Sequence, residues 1–195
     1  MALQTAPTQP TTYRFTVTQF EQMISEGIFT PTERVELFEG EILKMSRINH
    51  PHAAVVSNLE FIFREKLGRA AYIWAQQPLL LDDRSRLQPD VVLLNWCDDR
   101  YVPKRPTAED VLLLIEVSDT SLTDDRGRKK AKYDRSGIPE YWIVNLRDKV
   151  IEVFSAPVDG KYATESIADM SDMLSLPAGL GVDVAVDEIF GQANS

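Results

Sequence analysis

The chain has 195 residues, 44% hydrophobic and 26% charged, enough to bury one substantial core without disulfides or a structural metal. No apolar run approaches the roughly 20 residues of a membrane-spanning helix. A single cysteine, Cys97, with only His50 and His52 beside it, excludes a disulfide framework and a zinc site of four Cys/His ligands. Twenty-one Lys and Arg against thirty Asp and Glu leave a net charge of −9, which argues against a non-specific nucleic-acid coat. It does not argue against a metal-dependent nuclease, whose centre collects carboxylates.

Residues 1–13 are rich in Thr, Pro and Gln and lack periodicity, so a flexible leader is expected, followed by a single domain over 14–195. The leader lacks the basic start and apolar stretch of a secretory signal, which points to a cytoplasmic protein with no membrane partner. Thr18-x-x-Glu21 is a capping-box pattern and predicts a short helix ending near Gly27. Arg34–Met45 alternates around Glu39-Gly40 and predicts a hairpin. From Pro51 to Gly68, Val55, Val56, Leu59, Ile62, Phe63 and Leu67 recur at helical spacing.

Strand-like runs follow at Ala71–Gln76, Leu79–Leu81, Gln88–Leu94 and Val111–Val117. Asp124–Ser136 is polar and helical, closed by Gly137. Six of the 21 basic residues lie between Arg126 and Arg135. Tyr141–Val144 and Val150–Phe154 predict a second hairpin, and two weaker strands and a helix near Asp187–Phe190 end the chain. The order predicts an α/β fold with a mixed central sheet sandwiched by helices. Glycine-rich dinucleotide or triphosphate motifs are absent.

Asp90 opens one predicted buried strand and Glu116 interrupts another near its end. If those strands are neighbours, the two carboxylates converge on one cation, as suits Mg²⁺. The bland alternative has Asp90 capping a turn and Glu116 solvated, but an apolar strand makes an unpaired charge costly. Asp125, Lys129 and Tyr133 share a helical face, with Lys132 beside Lys129. Such a face either holds a phosphate and a hydrolytic water or is a solvated surface. Tyr141 and Trp142 alternate across a strand and point to core or dimer packing rather than base stacking. Cys97 reads as packing.

Pro89-Asp90, Glu116-Val-Ser118, Asp125-Arg-x-x-Lys129-x-x-x-Tyr133 and Gly137-Ile-Pro-Glu-Tyr-Trp-Ile-Val144 together resemble the Uma-two family of bacterial restriction-type endonucleases. The resemblance takes in Glu36-Leu-x-x-Gly-Glu41 and Pro51-His52 and spans roughly residues 15–190. It implies a restriction-endonuclease-like PD-(D/E)XK fold with metal at Asp90 and Glu116. Ser118 stands where that superfamily has lysine, and the family pattern supplies the lysine from the following helix, at Lys129. It also points to Glu36 and His52 as site residues. From alternation, Glu36 is either a metal-side carboxylate or an exposed strand residue, and His52 either meets phosphate or simply opens a helix.

The leading expectation is a Mg²⁺- or Mn²⁺-dependent endonuclease acting on DNA, with Asp90, Glu116 and Lys129 at its centre. A homodimer is expected, because the two apolar hairpins and Tyr141-Trp142 offer more hydrophobic edge than one small domain needs and enzymes that cut both strands often act as two-fold pairs. The alternative is a catalytically lapsed nuclease-fold domain serving binding or assembly. A serine or cysteine hydrolase lacks a nucleophile elbow.

Overall fold

The computed structural model describes residues 11–191 apart from positions 31, 47 and 178. Most of the expected leader therefore lies outside the described residues. At its end, the Tyr13 hydroxyl accepts a 2.6 Å hydrogen bond from Gln19.

The centre is a six-stranded sheet in the order β10-β9-β8-β7-β6-β3. Its strands are β3 (Ala71–Ala75), β6 (Val91–Asn95), β7 (Val111–Ser118), β8 (Glu140–Asn145), β9 (Val150–Val158) and β10 (Lys161–Ala168). All neighbours are antiparallel except β7 and β8, whose parallel register sets Leu114 against Tyr141 and Ser118 against Asn145. Parallel neighbours need a crossover. Here it runs through α3 (Leu122–Asp124), a π-helical turn at Asp125–Lys129, and α4 (Lys130–Arg135).

One face of this sheet is covered by α2 (His50–Leu67), which buries Val55, Val56, Leu59, Ile62 and Phe63 against Val91, Leu93, Leu113, Ile115 and Val117. Fully burying each such side chain is worth roughly 1.5–3 kcal/mol. Asn49 caps the helix by accepting the His52 backbone N–H at 3.0 Å. Also on this face are the strand pair β11 (Met173–Ser175) and β12 (Asp183–Ala185) and the last helix, α5 (Val186–Ile189).

The opposite face carries α4 and a second sheet ordered β2-β1-β5-β4. It consists of β1 (Val35–Phe38), β2 (Glu41–Lys44), β4 (Leu79–Asp82) and β5 (Ser85–Leu87). Outside it lies α1 (Val17–Ser25), with Phe20 against Leu37. In the β1–β2 turn both Glu39 (φ 49°) and Gly40 (φ 80°) are left-handed, the geometry that a tight hairpin demands.

Three expectations need correction. The capping box of α1 is Thr16 with Gln19, two residues before the Thr18–Glu21 pattern, because Val17 and Phe20 set which face turns inward. The crossover is not one uniform helix from Asp124, since the π turn interrupts it. Tyr141 and Trp142 are both fully buried on opposite faces of β8, which is the core packing expected of them, so the hydrophobic edge they were to offer a dimer is absent. Among the described residues, no helix is long and apolar enough to cross a membrane.

Candidate active site

Two neighbouring strands and one irregular helix assemble the site. Val91 pairs with Ile115 in the antiparallel β6–β7 ladder, so one residue further on Asp90 stands opposite Glu116. The strand alternation that sends Leu113, Ile115 and Val117 to the α2 side turns Glu116 and Ser118 to the other. Both carboxylates are nearly fully buried.

Glu116 Oε1 accepts from Lys129 Nζ at 2.9 Å and from the Tyr133 hydroxyl at 2.6 Å. Lys129 Nζ also lies 3.5 Å from Asp125 Oδ1, while Asp125 Oδ2 accepts from the Ser118 hydroxyl at 2.6 Å. Serine at 118 therefore holds the acidic partner of the lysine that the helix supplies. The π turn makes this possible: the Lys130 N–H reaches back to the Asp125 carbonyl, and Asp125 and Lys129 are buried while Arg126, Gly127 and Arg128 stay outside. Such turns inside helices occur frequently at functional sites.

Asp90 Oδ2 meets His52 Nε2 at 3.0 Å and accepts the Val117 N–H at 2.9 Å. The side-chain amide of Gln76 reaches Asp90 Oδ1 at 3.4 Å. Glu36 is 1% exposed, which overturns the exposed-strand alternative: β1 is stacked on the central sheet, so its polar face is internal. Glu36 Oε1 accepts the Gln88 N–H at 2.7 Å, and its Oε2 is buried with no hydrogen-bond partner.

Lys132 does not stand beside Lys129. It is buried and pairs with Asp82 of the second sheet, because after the π turn positions 129 and 133 face Glu116 and 132 is rotated away. Arg126 pairs with Glu152, Arg128 with Asp124, and Lys130 with Glu165. His50 is exposed.

Burial pushes the Glu116 carboxyl up to about 8 against the pull of Lys129, with Asp125, Asp90 and Glu36 adding to the rise. Burial also disfavours charge on Lys129, but Glu116, Glu36 and Asp125 outweigh it and raise its pKa. Asp90 is pushed up by burial, yet the His52 hydrogen bond and charge, the Val117 N–H and Lys129 hold it below the ordinary carboxylate range.

Four buried carboxylates thus face one lysine, and two of their oxygens, Glu36 Oε2 and Asp125 Oδ1, lack a hydrogen-bond donor. That excess of negative charge fits a divalent cation. Among the described residues no three His, Cys, Asp or Glu side chains converge as ligands. Mg²⁺ does not require three, since one or two carboxylates, water and substrate phosphate complete its shell. A cleft of about 100 Å³ gives access to Asp90, Glu116, Lys129, His52 and Gln88, with Arg34 at its rim.

Gln76, Gln88 and Ser118 are the parts of this arrangement that sequence reasoning did not assign to it. The one available signal was position, since Gln88 directly precedes Pro89-Asp90 and Ser118 follows Glu116 by two.

Residues 17–187 match the model of the Uma2 family, described as "Putative restriction endonuclease". A crystal structure described as "a putative nuclease belonging to DUF820", from Anabaena variabilis, shares the fold with a TM-score of 0.68. The match covers 91% of this chain and 98% of that one at 14% identity. No curated protein matches the chain.

Proposed function

The chain belongs to the Uma2 family, described as "Putative restriction endonuclease", and on that premise we propose that it is a metal-dependent endonuclease hydrolysing DNA phosphodiester bonds. The observation that carries this reading is the placement of Asp90 opposite Glu116, one step beyond the Val91–Ile115 pair of β6 and β7, with Lys129 Nζ 2.9 Å from Glu116.

Asp90 and Glu116 would hold Mg²⁺ or Mn²⁺, which supplies an activated water and charge stabilisation at phosphorus. Lys129, kept cationic by its carboxylate neighbours, orients the attacking water and offsets the charge developing on the phosphoryl oxygens. The Tyr133 hydroxyl and Asp125 fix Lys129 and Glu116 relative to each other. His52 steadies Asp90 through its Nε2 and stands at the cleft where a phosphate enters. Glu36, on the second sheet, accepts the Gln88 N–H and so braces the cleft wall. A homodimer would present two such clefts to the two strands of a duplex.

The test is cleavage of plasmid and short duplex DNA with Mg²⁺ or Mn²⁺, together with calorimetric metal binding. Wild-type protein should bind metal and cleave, and Asp90→Asn should do neither. Absence of both in the wild type would overturn the reading in favour of a lapsed nuclease-fold domain.

A further inference from the structure

The free edge of the central sheet carries aromatic rings that the chemistry above does not use. β3 is the terminal strand of that sheet, and Tyr72 and Trp74 project from it on the side that bears Asp90 and Glu116. They meet Trp96 and Tyr101 from the segment after β6: Tyr72 lies 6.3 Å from Trp74, 6.2 Å from Trp96 and 5.9 Å from Tyr101 between ring centroids. All four are only partly buried, and Trp96 belongs to none of the hydrophobic clusters. The Arg69 guanidinium lies 5.2 Å from the Trp96 ring centroid. A groove of about 200 Å³ runs here between Arg64, Gly68, Tyr72, Ile73 and Trp96.

Cations also stand beside these rings. Residues 96–105 carry Arg100, Lys104 and Arg105 together with Asp98 and Asp99, Arg64 lines the groove, and Arg69 lies over Trp96. Arg64 pairs with Glu60, Lys104 with Asp110 and Arg105 with Glu21, so among the described residues Arg69, set on the Trp96 ring, and Arg100 are the cations here outside an ion pair. The edge also leads to the cleft. From Tyr72 the strand runs four residues, about 13 Å at ~3.3 Å per residue, to Gln76, whose amide contacts Asp90.

We propose that this edge is a docking track for single-stranded nucleic acid, with bases stacking on Trp96 and Tyr72, Arg69 meeting the backbone, and the strand led toward Asp90. Partly exposed rings beside cations are the chemistry by which proteins hold unpaired bases, because every base offers a π face whatever its sequence. The inference rests on the nuclease reading for its direction along β3, and adds to it a preference for DNA whose nucleotides are unpaired beside the cut.

The experiment is a titration of full-length wild-type protein with fluorescein-labelled oligothymidylate in EDTA, followed by anisotropy and tryptophan emission. Trp142 is buried, so quenching reports Trp74 and Trp96. Quenching is expected, with affinity falling at higher salt and exceeding that for a duplex of equal length. Trp96→Leu should weaken binding roughly 5- to 100-fold. The exposed Arg69→Gln, which does not threaten folding, should also weaken it, while Phe61→Ser on the outer face of α2 should not. Unchanged affinity in Arg69→Gln, equal or tighter duplex binding, or burial of Trp96 in a dimer of this chain would overturn the proposal. Binding on the track without cleavage in Mg²⁺ would sink the nuclease reading and leave the track standing. Duplex cleavage without affinity for the single strand would do the reverse.

Discussion

Replacing Lys129 by methionine keeps the length of the side chain and removes its charge from a site where that side chain is 5% exposed. Breaking a buried pair by deleting one partner costs about 3–5 kcal/mol. Here the lower end applies, because burial has already pushed the Glu116 carboxyl up to about 8. Losing the lysine removes the pull that opposes this rise, so Glu116 stays protonated at neutral pH and is not left as an isolated buried charge, and Tyr133 stays as its partner. A loss of about 3 kcal/mol in a chain of this size lowers Tm by roughly 6–12 °C. Cleavage measured well below that melt should fall by a factor of about 100 or more, because a positioned cation is gone. Arg128→Met is the control. Its guanidinium is half-exposed and pairs with Asp124 one turn away, an arrangement worth about 0.5 kcal/mol, and its rate should match wild type. A Lys129→Met protein that melts with the wild type would show that the Glu116 contact contributes nothing in solution. One that melts early yet cleaves at the wild-type rate would make the lysine structural and refute the mechanism.

Two further outcomes test the frame around the site. Gly40→Ala places a Cβ 2.7 Å from Arg14 Cβ at a φ of 80°, so thermal unfolding should show a loss of about 1–3 kcal/mol from a position outside the cleft. Burial pushes the Asp82 carboxyl up, but hydrogen bonds from Lys132 and the Arg84 N–H outweigh it and hold its pKa below the ordinary value. Its stabilisation is therefore full above the unfolded carboxylate range and fades as pH falls through the lower folded value. Asp82→Asn should cost under about 1 kcal/mol at neutral pH, since the side chain is 43% exposed, and nothing in strong acid. Chemical denaturation across pH reads the difference.

Much of this arrangement is written locally in the chain. The periodicity of Val55–Leu67 and the alternation around Glu39-Gly40 specify α2 and the first hairpin, because each pattern turns apolar side chains to one side whatever packs there. Glu116 within an apolar strand and Asp90 at the head of another already signal charges that need partners. Spacing by four also points Lys129 and Tyr133 the same way, and both reach Glu116 Oε1.

The destination of each polar face was settled only by tertiary packing. Alternation says that Glu36 opposes Val35 and Leu37, not whether that side meets water. Stacking of β1 on the central sheet buries it, while α1 covers Leu37. Lys132 illustrates the same limit, since Asp82, fifty residues earlier, becomes its partner only when the second sheet lies against α4. The π turn, the Ser118–Asp125 contact and the burial of Tyr141 and Trp142 on both faces of β8 likewise depend on how layers meet. Local sequence fixes the period of a helix or strand and thus which residues share a face. Which faces are dehydrated, and which charges must then find one another, is decided by elements distant in the chain coming together.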